Sequence, residues 1–225
     1  MPLDAPSTTN LGIHRLILGP ALVTLAVTVA RVAGELAHGP RILFNAAPGG
    51  AWAIVGIIWL APVFGVYFAL KLEARGQGPK SWVRAVGSAL TGVAMVFVLS
   101  FLGSLLHIQQ HFWGRLIYIW LVVALAALVT LPGWHSLFLT LLAYAYAARV
   151  PVAIVMFIAF WQDWGTHYDA IPADLPDGLS LLAKYLWLGF FPQLILWVGE
   201  TILAGMLFGS VAAGIAHVAH GRLES

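Results

Sequence analysis

Four ionisable side chains occur inside long apolar segments of the sequence, namely Arg31, Glu35, Arg149 and Glu200. An ionised group far from water costs about 2.5 to 3.5 kcal/mol on insertion scales, so such groups normally face a bundle interior or a wet cavity. Arg31 and Glu35 are four residues apart and can pair within one helix, which predicts that Arg149 pairs with Glu200 between helices. The chemistry that these charges suggest is the passage of a proton or a small polar solute.

Polar side chains recur at helical spacing around the first pair of charges. Thr24, Thr28, Arg31, Glu35 and His38 step by four, three, four and three residues, which places them on one stripe of an otherwise apolar helix. Because lipid cannot satisfy such groups, we expect the stripe to face the interior of a helical bundle. An alternative of equal weight is that these groups only hold helices together and form no cavity.

Other predicted helices supply polar residues near the second pair of charges. Tyr146 lies three residues before Arg149 and is expected to share its face, and Gln193 lies one heptad before Glu200. The sequence therefore predicts a shared charged interior, formed by Arg31, Glu35, Tyr146, Arg149, Gln193 and Glu200.

Histidines near one predicted membrane face suggest a different kind of site. His107 and His111 have the i, i+4 spacing with which two imidazoles on one helix face bind a single ion. The loop after the fifth predicted helix adds Asp163, His167 and Asp169, so zinc or another divalent metal could be held at the outer face. A metal-bound water with a pKa of about 7 would make the protein a metal-dependent membrane hydrolase, which is the alternative function. A third hypothesis is a noncatalytic subunit or scaffold of a membrane complex.

The composition decides which fold must position these groups. Hydrophobic residues make up 61% of the 225-residue chain and charged residues only 9%, which excludes a water-soluble surface. The net charge of +2 provides no basic face, so nucleic acid is not an expected partner. With no Cys in the chain, a metal would depend on His and carboxylates. We expect residues 1–225 to form a single integral membrane domain whose main partner is the lipid bilayer.

The apolar segments are long enough to cross a bilayer several times. A hydrocarbon core about 30 Å thick needs roughly 20 helical residues per crossing. Charge-free runs separated by Gly and Pro breakers predict an all-α, polytopic transmembrane bundle of six crossings. The predicted spans are 12–37, 51–71, 83–107, 115–131, 136–161 and 190–217. Residues 179–189 are predicted to form a short interfacial helix, with the chain bending near Pro192 into the last crossing.

Small residues mark a packing surface on the last crossing. Gly205, Gly209 and Ala213 form a small-x-x-x-small ridge, which predicts close contact with another helix of the same chain. Contact with a second copy, as in a homo-oligomer, is the weaker alternative.

The distribution of Lys and Arg predicts the orientation of the bundle. Lys71, Arg75, Lys80 and Arg84 lie in one short connection, and the cytoplasmic side retains such residues. The segment 161–178, which has four Asp and no Lys or Arg, is then outside, and both termini are inside. The compact loops favour a bacterial inner membrane.

The first apolar segment has a second interpretation. Arg15, the apolar run after it and small residues around Ala30 are typical of a secretion signal, and cleavage there would leave five crossings. We expect the segment to be retained as a membrane helix, because the run is long and polar residues continue through it in helical register.

Overall fold

A computed structural model describes residues 8–48 and 54–223, and this part of the chain is helical and contains no β-strand. The helices are α1 (Thr8–Leu36), α2 (Leu60–Glu73), α3 (Trp82–Leu105), α4 (Phe112–Thr130), α5 (His135–Gln162), α6 (Leu181–Tyr185) and α7 (Trp197–Leu223). Within the described residues, five helical segments are long and apolar enough to cross a membrane: Gly12–Leu36, Trp82–Leu105, Phe112–Thr130, His135–Gln162 and Leu181–Ala219. The protein is therefore an all-helical, multi-pass membrane protein.

The second predicted crossing, 51–71, is helical only in its later part. Residues 51–53 lie outside the described residues, and residues 54–59 form bends before α2 begins at Leu60. The N–H groups of Ile54 and Val55 instead donate to the backbone carbonyls of residues 42 and 43. Pro62 has no N–H to donate to the carbonyl of Ile58, so a helix extended backwards would lose a hydrogen bond at this point. With 14 residues, α2 is about 21 Å long and by itself shorter than a full crossing.

The predicted interfacial helix, 179–189, is continuous with the last crossing. α6 leads through two π-helical stretches, Leu186–Phe190 and Pro192–Leu196, directly into α7. The N–H of Phe191 donates to the carbonyl of Leu186, and that of Trp197 donates to the carbonyl of Pro192. These five-residue steps occur around Pro192, which cannot donate a backbone hydrogen bond of its own. The predicted bend near Pro192 therefore falls in two widened helical turns.

α7 is the central helix of the bundle, because α2, α3, α4 and α5 all pack against it. A Cβ atom on Gly65 of α2 would lie 2.4 Å from Cα of Gly205, and one on Gly209 would lie 2.6 Å from the carbonyl oxygen of Gly65. These backbones are in direct contact, and Ala213 is fully buried on the same ridge. The predicted small-residue contact within the chain is confirmed, since side chains at these glycines would separate α2 from α7.

The two ends of the bundle are held by different contacts. At one end, called the Trp134 end, Trp134 donates its indole N–H to the carbonyl of Gln77 at 2.8 Å and packs edge-on against Trp82, which also contacts His217. The beginnings of α3 and α5 therefore lie beside the end of α7. At the opposite end, called the His167 end, the loop after α5 contacts α1 through Glu35. α1 packs mainly along α5 between these two ends.

Candidate functional site

A cavity of about 430 Å³, here called the Arg cavity, lies between α1, α5, the loop at 163–180 and the π-helical stretches before α7. Polar side chains from all of these elements line it, namely Thr28, Arg31, Arg149, His167, Tyr168 and Gln193. The helical stripe on α1 reaches the cavity because Thr28 and Arg31 are one turn apart on the buried face of that helix. The cavity joins the two parts of the chain whose charges the sequence singled out.

Apolar side chains form the rest of the wall, among them Val152, Met156, Leu188 and Trp197. The non-helical segment before α2 also contributes to the wall through Gly56, Ile57 and Ile58. Irregular backbone at membrane depth is tolerated where it is buried in protein or lines a cavity. The cavity thus combines a few polar groups with apolar walls, as ligand sites commonly do.

The Glu35 cluster, defined as Glu35, Arg31 and His167, lies at one side of the cavity. The Glu35 carboxylate accepts hydrogen bonds from Nε of Arg31 at 2.8 Å, from the backbone N–H of His167 at 2.9 Å and from Nδ1 of His167 at 2.6 Å. Nη2 of Arg31 also donates to the carbonyl oxygen of Asn45 at 3.1 Å. Because the carboxylate accepts at both oxygens, Nδ1 of His167 carries the proton. Every charged group in this cluster has short, direct partners.

The loop that carries His167 is closed by a carboxylate. Asp169 accepts from the backbone N–H groups of Gly165 and Thr166 and from the Thr166 hydroxyl, at 2.7 to 2.8 Å. Burial lowers the pKa of His167 below its usual value, although the neighbouring Glu35 carboxylate acts in the opposite direction. Burial also raises the pKa of Tyr168, so that its hydroxyl stays protonated at neutral pH. The loop therefore presents neutral polar groups to the cavity.

The Arg149 cluster, defined as Arg149, Gln193, Glu200 and Thr201, has few short contacts. Nη2 of Arg149 is 3.7 Å from Oε2 of Glu200 and 3.5 Å from the Thr201 hydroxyl, and the guanidinium lies 5.2 Å from the centroid of the Trp197 ring. Among the described residues, no hydrogen-bond partner reaches Nε of Arg149, Oε1 of Gln193 or Oε2 of Glu200. Arg149 is nevertheless only 5% exposed. Its N–H groups are thus buried beside the cavity, and the described part of the chain offers them no acceptor at a short distance.

A second cavity of about 300 Å³ lies on the same α1–α5 interface, towards the Trp134 end. Its lining includes Leu16 on α1, Thr140 on α5 and Arg75 after α2. Between the two cavities, the hydroxyl groups of Thr24 and Tyr144 form a hydrogen bond of 2.8 Å. The ring of Tyr144 is flanked by Phe64 and Phe68 of α2, at 5.4 and 5.3 Å between centroids. This Thr24–Tyr144 contact separates the two cavities along one line of polar residues.

The structure brings most of the predicted charged residues together. Arg31, Arg149 and Gln193 line the same cavity, Glu35 contacts Arg31, and Glu200 is the ionic neighbour of Arg149. The predicted pairing of Arg149 with Glu200 is therefore confirmed, at the long distance of 3.7 Å.

Two members of the predicted stripes lie elsewhere. Tyr146 is 43% exposed, so its placement in the charged interior is wrong. It precedes Arg149 by three residues, which leaves about 60° between the two side chains around the helix, and α5 buries Tyr144 instead. His38 is also exposed, because α1 ends at Leu36 and His38 has a left-handed backbone with φ of 52°.

The predicted metal ligands are not brought together. In the ranges 8–48 and 54–223, no group of three or more His, Asp or Glu side chains is placed to hold a metal ion. His107 and His111 do not share a helix face, since α3 ends at Leu105 and His107 adopts a left-handed φ of 56° that breaks the helical spacing. His167 and Asp169 are instead occupied with Glu35 and with the loop backbone. Asp163 ends α5 with φ of 51°.

Several residues at or near the Arg cavity were not predicted from the sequence. Tyr144, Tyr168 and Trp197 carry polar atoms or ring faces at or near the cavity, but the pattern for each is that of an ordinary membrane-helix or loop aromatic. Tyr144 is recoverable in retrospect, because it lies four and eight residues before Ala148 and Val152, on the same buried face of α5. Ile57 gave no signal, since its role depends on a break in a helix that the sequence predicted to be continuous.

No family model matches the chain, and neither the curated proteins nor the solved structures include a significant match to it.

Proposed function

We propose that this protein moves a small polar solute, or a proton, across the membrane by way of the Arg cavity. The observation that carries the proposal is the enclosure of two buried guanidinium groups, Arg31 and Arg149, in one cavity between helices. Ionisable groups inside a membrane bundle are expensive and commonly mark the path of an ion or a substrate. A purely structural ion pair would have no need of a cavity beside it.

The second cavity supports the same proposal. A carrier needs access from each side of the membrane and a barrier between the two approaches. The Thr24–Tyr144 contact, backed by Phe64 and Phe68, is a barrier of this kind. Opening it requires the loss of one hydroxyl–hydroxyl bond and a movement of the Tyr144 ring, which is a small change for a bundle to make.

We further propose the six-crossing topology, with both termini in the cytoplasm and with residues 54–59 and α2 together completing the second crossing. Contacts at the Trp134 end support it, because α3 and α5 begin there and α7 ends there. Gly12 of α1 and Arg75 after α2 also line one cavity at that end. The helices therefore alternate in direction. The Trp134 end carries the Lys- and Arg-rich connection between α2 and α3, which predicts that this end is cytoplasmic. The compact loops favour a bacterial inner membrane.

Flux measurements in proteoliposomes test the proposal. The full chain is expected to pass protons or at least one member of a panel of small anions, cations and neutral polar solutes. Arg149→Gln should reduce that flux at least tenfold, because it removes one of the two buried positive charges of the cavity. Arg115→Gln is the matched control, since Arg115 is an exposed arginine paired with Asp174 at the His167 end. Equal and negligible flux through the wild type, Glu200→Gln and empty liposomes would overturn the proposal.

The hydrolase and scaffold hypotheses remain predictions from the sequence. The end of α3 before His107 and the contacts of His167 and Asp169 leave the hydrolase hypothesis without a grouped set of ligands among the described residues. Elemental analysis of the gently extracted protein tests it, because a metal enzyme would retain stoichiometric metal. Purification of the chain with fixed partners would favour the scaffold.

A further inference from the structure

We infer that the Arg cavity binds a small organic monoanion, a carboxylate with a short apolar body, and that Arg149 holds its carboxylate. The inference rests on the proposed function and names the class of solute for it. Three features of the cavity carry it: the unused donors of Arg149, the sign of the charge that the wall presents, and the apolar surface beside the guanidinium.

The first feature is the poor hydrogen bonding of a buried guanidinium. Nε of Arg149 has no acceptor within the described part of the chain, and Nη2 has only contacts of 3.5 and 3.7 Å. A guanidinium has a planar fork of donors that matches the two oxygens of a carboxylate. Leaving such donors unpaired in a buried position is unfavourable, so a bound carboxylate would supply what the protein does not.

The second feature is the sign of the charge facing the solute. Arg31 and Arg149 line the cavity, whereas the described lining residues include no Asp or Glu. The Glu35 carboxylate is held by Arg31 and His167, with a side chain that is not exposed. On the described wall of the cavity a cation would therefore meet two guanidinium groups and no carboxylate, while an anion would meet complementary charge.

The third feature is the apolar surface near Arg149. Val152 and Met156 follow Arg149 along α5, and Leu188 and Trp197 approach from the other side. This surface suits a hydrocarbon body better than the hydration shell of an inorganic ion. Gln193, whose amide oxygen has no described partner, can donate to the carboxylate after a rotation of its amide.

Calorimetric titration of the full chain in nanodiscs of zwitterionic lipid tests the inference. The probes are hexanoate, hexylammonium, hexanol and chloride, and empty nanodiscs correct for partitioning into lipid. Hexanoate should bind saturably and at least tenfold more tightly than the other three. If hexylammonium or hexanol binds as tightly as hexanoate, or if hexanoate does not bind, the inference is wrong.

Variants then identify the group that holds the carboxylate. Arg149→Gln should weaken hexanoate binding at least tenfold, and Arg149→Lys severalfold, because Lys keeps the charge but lacks the planar fork. Arg115→Gln should bind like the wild type. Glu200→Gln should bind hexanoate at least as tightly, since it removes the carboxylate that competes for Arg149. If Arg149→Gln does not fold, Arg149→Lys decides, and wild-type affinity in that variant would contradict the inference.

Binding and flux separate the two proposals. Hexanoate binding without any flux would refute the proposed transport but leave the assigned site intact. Flux of a neutral or cationic solute, with no binding of hexanoate, would refute the assigned solute class and leave transport intact.

Discussion

The Glu35 cluster and the Arg149 cluster contain similar groups but differ in how those groups are satisfied. Each has an arginine and a glutamate buried or half-buried among apolar helices. In the Glu35 cluster the charged atoms are 2.6 to 2.9 Å from their partners, and the backbone of the loop at 163–180 contributes a donor. In the Arg149 cluster the closest ionic contact is 3.7 Å, and buried polar atoms lack partners among the described residues.

This difference separates a structural ion pair from a binding site. A saturated cluster gains nothing from a ligand, because each of its donors already has an acceptor. An unsaturated cluster beside a cavity can bind a ligand without first breaking a strong contact. We interpret the Glu35 cluster as a structural contact that fixes the loop at 163–180 onto α1, and the Arg149 cluster as the part that binds the solute.

The largest expected effect on the free energy of unfolding comes from removing the Glu35 carboxylate. Glu35→Gln removes the carboxylate charge that contacts both the buried Arg31 guanidinium and His167. Removing one partner of a buried ion pair costs about 3 to 5 kcal/mol. The free energy of unfolding, measured by titration with a denaturing detergent in mixed micelles, should fall by about that amount.

Glu200→Gln is the matched comparison within the membrane. The contact to Arg149 is long, at 3.7 Å, and the Glu200 side chain is 29% exposed, so Glu200→Gln should lose less stability than Glu35→Gln. Glu73→Gln, at a contact with the exposed His217, controls for the removal of any glutamate. An equal loss of stability in Glu35→Gln and Glu200→Gln would contradict the assignment of a structural role to the Glu35 cluster and a binding role to the Arg149 cluster.

The charged interior was predictable because it follows from a hard constraint. Thr24, Thr28, Arg31 and Glu35 repeat with the period of an α-helix, and lipid cannot satisfy them, so their burial against α5 could be expected. The same constraint predicted the pairing of Arg149 with a carboxylate. Periodicity does not give contact lengths, however, so it could not show which pair would be saturated.

The errors arose where the backbone departs from a regular helix. The predicted His107–His111 pair assumed a helix that in fact ends at Leu105. The second crossing was predicted as one helix, whereas the bends at 54–59 create part of the cavity wall. Such departures depend on contacts with distant segments, and a local pattern contains no information about them.

The next expected effect is a pH dependence of the stability that His167 contributes to the Glu35 cluster. Because burial lowers the pKa of His167 below its ordinary value of 6.5, the unfolded chain binds a proton there more readily than the folded chain does. The contribution of this group to stability is therefore present above about pH 6.5 and is lost as the pH falls towards the folded pKa. Unfolding measured between pH 5 and pH 8 should show that loss.

His167→Asn isolates this titration from the hydrogen bond. The Asn amide can replace the Nδ1 donor to Glu35 but does not titrate, so the variant should lose much of the fall in stability below pH 6.5. His167→Ala, which also removes the donor, should cost about 1.5 to 3 kcal/mol, the value for a hydrogen bond to a charged group. His217→Asn, at the opposite end, should keep the wild-type profile. A profile for His167→Asn identical to that of the wild type would assign the pH dependence to other groups.

The smallest expected effect on stability is at the contact between the two cavities. Tyr144→Phe removes the hydroxyl that contacts Thr24, but Thr24 keeps its bond to the carbonyl of Pro20 at 2.9 Å. The loss should therefore be about 0.5 to 1.5 kcal/mol, the net value of an ordinary hydrogen bond. Flux should nevertheless rise severalfold, because the bond that closes the path is missing while the ring still packs on Phe64 and Phe68.

The control is Tyr118→Phe, which removes a different tyrosine hydroxyl. That hydroxyl, on α4, donates to a backbone carbonyl of α3 away from the path, so its loss should leave flux unchanged. If Tyr144→Phe and Tyr118→Phe lose similar stability and neither changes flux, the Thr24–Tyr144 contact is packing rather than a barrier, and the Arg cavity is a closed binding site.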